Sequence, residues 1–172
     1  MTVNKRLKAG VIGAGYLGSI HARIYERMKD VDLVGIADID RDAGEQVAKE
    51  LDCEYFEDGR SMLGRVDAVS IVVPTSAHRE VAEPFLNARI PVLIEKPIAH
   101  TLVDAQRIVE LAAATGTLLQ IGHLERFNAG VARLYQELDR PRFIEVHRLG
   151  EFVERATDVD VVTDLMIHDI DI

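Results

Sequence analysis

Short apolar runs rich in β-branched residues alternate along this chain with amphipathic stretches of helical length. Parallel strands joined by crossover helices produce that alternation. The runs predict strands over Leu7–Ile12, Asp32–Asp38, Ala68–Val73, Val92–Glu95 and Leu118–Ile121. Between them the spacing predicts helices over Leu17–Met28, Arg41–Leu51, Ala77–Ala88 and Leu102–Thr115. The strand runs are apolar at successive positions, as strands must be when helices cover both faces of the sheet. In the last of these helices Thr101 and Asp104 form a capping-box-like start. Leu102, Ala105, Val109 and Ala112 share its expected buried face, and Gly116 takes the left-handed position after its end. A further helix is expected over Asn128–Leu138, a strand over Arg142–Leu149, and a last helix over Thr163–Ile172.

At 172 residues the chain has room for one well-buried domain, which removes roughly two thirds of its surface from water. The expected division is an α/β domain over residues 1–122 and a connecting helix with the truncated start of a second domain over 123–172. An apolar share of 48% and a charged share of 28% describe a globular protein, not a disordered one. A formal net charge of −9 argues against a nucleic-acid face, which needs clustered Lys and Arg. No apolar run approaches the roughly twenty residues that cross a bilayer. The lone Cys53 and a polar, basic start without a signal-peptide pattern lead to the expectation of a cytoplasmic protein.

The first strand runs straight into Gly13-Ala14-Gly15-Tyr16-Leu17-Gly18, and helical periodicity follows at once. In this context Gly13 permits the tight turn, Gly15 lets the backbone approach a pyrophosphate, and Gly18 lets the helix approach the strand. Free N–H groups at the helix start then face the phosphates. Asp38, at the end of the second strand, can accept hydrogen bonds from both adenosine ribose hydroxyls, which favours NAD over NADP. Arg41 works against that preference, because a guanidinium can pair with a 2′-phosphate. The glycines could also make a tight turn and nothing more, and a methyltransferase using S-adenosylmethionine also carries an acid after its second strand.

Glu95-Lys96-Pro97 decides between these readings, for with it the chain resembles the Gfo/Idh/MocA oxidoreductases over nearly its whole length. Four matches in order carry the resemblance: the Gly13–Gly18 loop with Asp38, the turn Val73-Pro74-Thr75-Ser76-Ala77-His78, Glu95-Lys96-Pro97, and Asp164-x-x-x-His168-x-x-Asp171. The fold it implies is a six-stranded, doubly wound Rossmann sheet followed by the start of an α+β substrate domain, with most of that second domain lying beyond Ile172. By this resemblance Lys96 is the catalytic lysine, Glu95 contacts the nicotinamide ribose, Tyr16, Leu17, Thr75 and His78 lie along the cofactor, and the bond before Pro97 is cis. His168 serves as acid or base with Asp164 beside it. The segment Gln120–Asn128 further resembles the branch that oxidises UDP-N-acetylhexosamines at the C3 hydroxyl, with Arg126 a candidate for contacting substrate.

Elementary chemistry agrees with these roles. Removing a hydride from an alcohol requires a base within hydrogen-bond reach of its hydroxyl. A lysine partly withdrawn from water, with a cation for neighbour, can be that base, or can polarise the carbonyl in reverse. Asp164 and His168 stand one helical turn apart, so the carboxylate can orient the imidazole. Other readings stay open: Lys96 as a solvated lysine, Asp164 and His168 as a solvated helix face, or, less favoured because no further ligand stands out, a metal site with Asp171. His21 and His147 read as structural or exposed. Arg89 stands where a helix-ending glycine is common; a left-handed Arg costs about 1 kcal/mol, so a different turn is expected there. The exposed strand at 142–149 predicts a homo-oligomer through that segment. The fragment itself is expected to bind cofactor without turning over, and an NAD-binding module with no catalytic role is the alternative function.

Overall fold

The computed structural model describes residues 5–147, 160 and 162–171. Its first half is β1 (Leu7–Ile12), α1 (Tyr16–Arg27), β2 (Val31–Ala37), α2 (Arg41–Glu50) and β3 (Glu54–Phe56). The second half is β4 (Ala68–Ile71), α3 (His78–Asn87), β5 (Val92–Ile94), α4 (Leu102–Thr115) and β6 (Leu119–Ile121). The six strands form one parallel sheet in the order β3-β2-β1-β4-β5-β6. This is the doubly wound Rossmann arrangement, whose strand order reverses between β1 and β4 and opens a crevice beyond their carboxyl ends.

Successive residues of the central strands feed opposite faces, which explains the continuous apolar runs. Val11 and Ile36 join Ala22, Val47 and Ala48 under α1 and α2. Their neighbours Ile12 and Ala37 join the larger core built on Phe85, Leu86, Ile94 and Ile108 under α3 and α4. Fully buried Ser70, in the middle of β4, meets Tyr25 of α1, with 2.6 Å between the hydroxyl oxygens. The buried polar group is thereby satisfied.

The structure corrects several expectations. β3 escapes the sequence pattern because it is a three-residue edge strand with Glu54 outward. On α4 the buried stripe is Ile108, Leu111 and Ala112, whereas Leu102 and Val109 are exposed, so the expected face is rotated. The helix ends do follow the sequence: the Asp104 amide donates to Thr101 Oγ1 at 3.1 Å, and Gly116 has φ +67°. Arg89 does adopt the left-handed conformation, with φ +58°. The Ile90 amide bonds back to the Phe85 carbonyl at 2.9 Å while its side chain enters the core, and burial of that side chain outweighs the strain.

Beyond the sheet lie α5 (Ala129–Glu137) and α6 (Ile167–Asp171), the latter preceded by a wider π turn over Val162–Met166 instead of regular helix from Thr163. Residues 142–147, the described part of the expected Arg142–Leu149 strand, carry no strand, and no strand among the described residues pairs with them; 148 and 149 lie outside the described residues. No helix among the described residues is long and apolar enough to cross a membrane.

Candidate cofactor and catalytic site

The loop from β1 into α1 has little freedom. Gly13 has φ +107°, and a Cβ there would stand 2.2 Å from the Val72 carbonyl oxygen, so no other residue fits without moving β4. A Cβ on Gly18 would meet the Gly13 carbonyl oxygen at 1.8 Å, so helix and strand touch through bare backbone. Gly15 differs: nothing lies within 4 Å of where its Cβ would be. It is the N-cap of α1 and no side chain caps its amides, nor does an acid stand in the first turn. The opening turn at Gly15 to Leu17 is exposed and has the helix dipole behind it, which suits an anionic group. Tyr16 is 71% exposed at the mouth of this cradle, free to fold over an occupant.

Asp38 closes the same loop from the other side. One carboxylate oxygen accepts from the Ala14 amide at 2.5 Å and the other from the Asp40 amide at 2.8 Å. Each oxygen keeps a lone pair for a further donor, as two vicinal hydroxyls would supply. Arg41 turns to carboxylates instead, Glu45 at 2.9 Å and Glu57 at 3.2 Å, which weakens the case for a phosphate partner. These residues fit the adenosine and pyrophosphate parts of a dinucleotide.

The turns after β4 and β5 line the opposite wall. Thr75 is buried in a short 3₁₀ turn, and His78 is 1% exposed. Its ring stands 3.0 Å from both the Pro97 and the Val73 carbonyl oxygens, so it braces the two turns against each other. The bond between Lys96 and Pro97 is cis.

Lys96 projects across the crevice to the tail. Its ammonium donates to Asp164 Oδ1 at 2.7 Å and to the Asp164 carbonyl at 2.9 Å, with both side chains largely screened from water. This corrects two expectations: the neighbour of Lys96 is an anion, not a cation, and the Asp164 carboxylate is directed to the lysine rather than given over to His168. A residue at Cα spacing of one turn can reach either way, and the ammonium is the stronger donor. Arg126 also takes a different place. It grips Asp171 with two hydrogen bonds of 2.8 and 2.6 Å, which fastens α6 to the turn Leu124–Phe127. The Arg126 guanidinium, with lesser help from the charges of His123 and His168, holds the Asp171 carboxyl below its ordinary value despite partial burial. Among the described residues no cluster of three or more His, Cys, Asp or Glu side chains is arranged to hold a metal ion.

One residue of the site was read as structural from sequence. His21 of α1 reaches the carboxylate of Glu95, Nε2 to Oε1 3.1 Å, both side chains nearly buried. Burial disfavours the Glu95 charge, but the His21 hydrogen bond and charge, together with the Lys96 amide and ammonium, outweigh it and hold the carboxyl below its ordinary value. The sequence signal was present in the spacing: Gly18 and His21 lie on the same side of α1, the side that a bare glycine presses onto the strand.

Comparison with known proteins agrees with this geometry. The family model described as an oxidoreductase family with an NAD-binding Rossmann fold matches residues 7–123. The chain is 40% identical over 167 residues to the UDP-N-acetylglucosamine 3-dehydrogenase of Acidithiobacillus ferrooxidans, covering 96% of this chain and 53% of that protein. The solved structure of that enzyme superposes with a TM-score of 0.89 over 96% of this chain and 55% of its own. A scyllo-inositol dehydrogenase from Lactobacillus casei, solved with NAD(H) and scyllo-inositol bound, is 31% identical with a TM-score of 0.72 over 77% of this chain and 40% of its own. The chain spans about half the length of the curated relatives it matches. With the family model matching residues 7–123, a span that holds the glycine loop, the six-stranded sheet and the lysine turn, the chain belongs to the Gfo/Idh/MocA oxidoreductases by its NAD-binding Rossmann domain.

Proposed function

We propose that this chain is the cofactor-binding part of an NAD-dependent dehydrogenase that oxidises a hydroxyl of a sugar, the C3 hydroxyl of a UDP-N-acetylhexosamine. The observation that carries the reading is the Lys96 ammonium held by Asp164 at the carboxyl end of the sheet, beside the uncapped start of α1. The 40% identity to a UDP-N-acetylglucosamine 3-dehydrogenase supports the substrate class. Gly13, Gly15, Tyr16, Leu17 and Gly18 hold the pyrophosphate, Asp38 the adenosine ribose, and Thr75 and Glu95 the nicotinamide side, while buried His78, expected along the cofactor, instead braces the two turns behind it. The carboxylate of Asp38 and the engagement of Arg41 by Glu45 and Glu57 support NAD over NADP.

NAD, when bound, supplies the hydride acceptor. Lys96 and His168 then meet the substrate hydroxyl; the base is whichever of them enters the step as the neutral amine or imidazole, and Asp164 holds the Lys96 nitrogen in place. Arg126, exposed beyond its pairing with Asp171, meets the substrate at the rim. Residues 123–172 open the substrate domain. Exposed Phe143, Ile144 and Val146 seek cover there, which supports a homo-oligomer through this segment; a cytoplasmic location belongs to the same proposal. Calorimetric titration with NAD tests the first half of this reading: the chain should bind, and Asp38→Ala should weaken binding about tenfold. In the protein carrying its whole substrate domain, Lys96→Met should bind NAD as well as the parent yet lose UDP-N-acetylglucosamine-dependent NADH formation. An unchanged rate sinks the assignment of Lys96. The alternative, a cofactor-binding module without catalysis, predicts binding but no turnover in that longer protein.

A further inference from the structure

The pair of His21 and Glu95 joins two parts of the site that the sheet alone does not hold together. His21 lies on α1, the helix whose first turn forms the phosphate cradle, and Glu95 immediately precedes Lys96 at the end of β5. Strands β1 and β4 separate these elements in the fold, and the crevice opens between them. The Glu95 carboxylate is gripped from three sides: Oε1 by His21 Nε2 at 3.1 Å, Oε2 by the Lys96 amide at 3.2 Å, and both oxygens would be 2.9 Å from a Cβ on Gly122. Gly122 thus lets the loop after β6 lie flat against the carboxylate. A carboxylate this deeply buried costs a great deal unless paired, and His21 is the side chain that reaches it from the cradle's helix. Donors and carboxylates alternate in a row across the crevice: His21, Glu95, Lys96 and Asp164.

We propose that His21 is a positioning residue that ties the phosphate-binding helix to the lysine-bearing turn, and so sets the span between the pyrophosphate cradle and the nicotinamide side of the site. It touches neither cofactor nor substrate; it acts through Glu95. The inference rests on the dinucleotide reading given above, and the two are separable by experiment. ADP engages only the cradle and Asp38, whereas NADH engages both ends of the site. His21→Leu removes the tie and should weaken NADH by about tenfold, since loss of one hydrogen bond to a charged group exceeds 1.4 kcal/mol, while changing ADP affinity less than about twofold. His21→Gln, which still presents a donor to Glu95, should recover most of the NADH affinity. Fluorescence titration of NADH and calorimetry of ADP on this chain, at matched folded fraction, read both. If His21→Leu shifts NADH and ADP alike, or shifts neither, His21 is a packing residue and the inference falls while the cofactor reading stands. If the parent chain binds neither nucleotide, both fall. Should His21→Leu not fold, His21→Asn, whose amide ends short of the Nε2 position, is compared with His21→Gln: His21→Asn must lower the NADH affinity selectively, and an NADH to ADP ratio equal to the parent's in both variants overturns the inference.

Discussion

Gly15 and Gly18 lie on one turn of α1 yet ask opposite things of a substitution. A methyl group at Gly18 collides with backbone, so Gly18→Ala should destabilise the fold by about 1–3 kcal/mol or more, measured by urea unfolding. A methyl group at Gly15 meets nothing in the protein. Gly15→Ala should therefore leave the melting temperature unchanged while weakening NAD about tenfold or more, because the methyl occupies the space of the pyrophosphate. A loss of stability in place of a loss of affinity would mean that the cradle is filled by protein. Cys53 gives a third expectation. Burial, aided by the charge of Asp52, pushes its thiol from 9.0 up to about 11. The native chain should alkylate slowly at mildly basic pH and rapidly once unfolded. Because the folded value is the higher one, this thiol adds no penalty below 9 and lowers stability as pH rises from there towards 11. At this scale the glycines and Asp38 were legible from spacing alone, since their roles are set by backbone geometry. The partner of Glu95 was legible only in part: spacing from Gly18 sets the side of α1 on which His21 lies, but a histidine there looks alike whether it faces a leucine or a carboxylate.

Helix termini proved more readable than helix faces. Thr101, Asp104 and Gly116 act locally, and their chemistry is complete within a few residues. The buried face of α4 depends on where the sheet lies, and Leu102 with Val109 makes as good an apolar stripe as Ile108 with Leu111 and Ala112. β3 was hidden for a related reason: an edge strand of three residues has no second face to fill, so it leaves no hydrophobic run. The turn after α3 carries the prediction that belongs here. Arg89 sits at φ +58° because Ile90 must be buried, and Arg89→Gly should stabilise the chain by about 1 kcal/mol in thermal or urea unfolding. Destabilisation would show that the arginine side chain contributes more than its backbone costs.

For the molecule as a whole, the tail is held among the described residues to the sheet's carboxyl end by Lys96 with Asp164, and to the turn Leu124–Phe127 by Arg126 with Asp171. Amide exchange over residues 162–171 should be slowed in the parent and should quicken in Arg126→Ala. The Asp171 carboxyl is depressed chiefly by Arg126, so its contribution to docking is present above the ordinary value of 3.8 and is lost as pH falls through its lowered range. Exchange of α6 should accordingly quicken in acid before the sheet opens, and simultaneous loss would show that tail and sheet form one cooperative unit. The sheet order carries a consequence for the order of events during synthesis. β1 is flanked on one side by β2, which follows it closely, and on the other by β4, where Ala9 pairs with Ala68. A nascent chain leaving the ribosome can close β1 on β2 and β3 early, but its central strand keeps one bare edge until β4 emerges. During that interval the half-made sheet is vulnerable to chaperones and to other nascent chains, and a ribosomal pause before Ala68 would lengthen it.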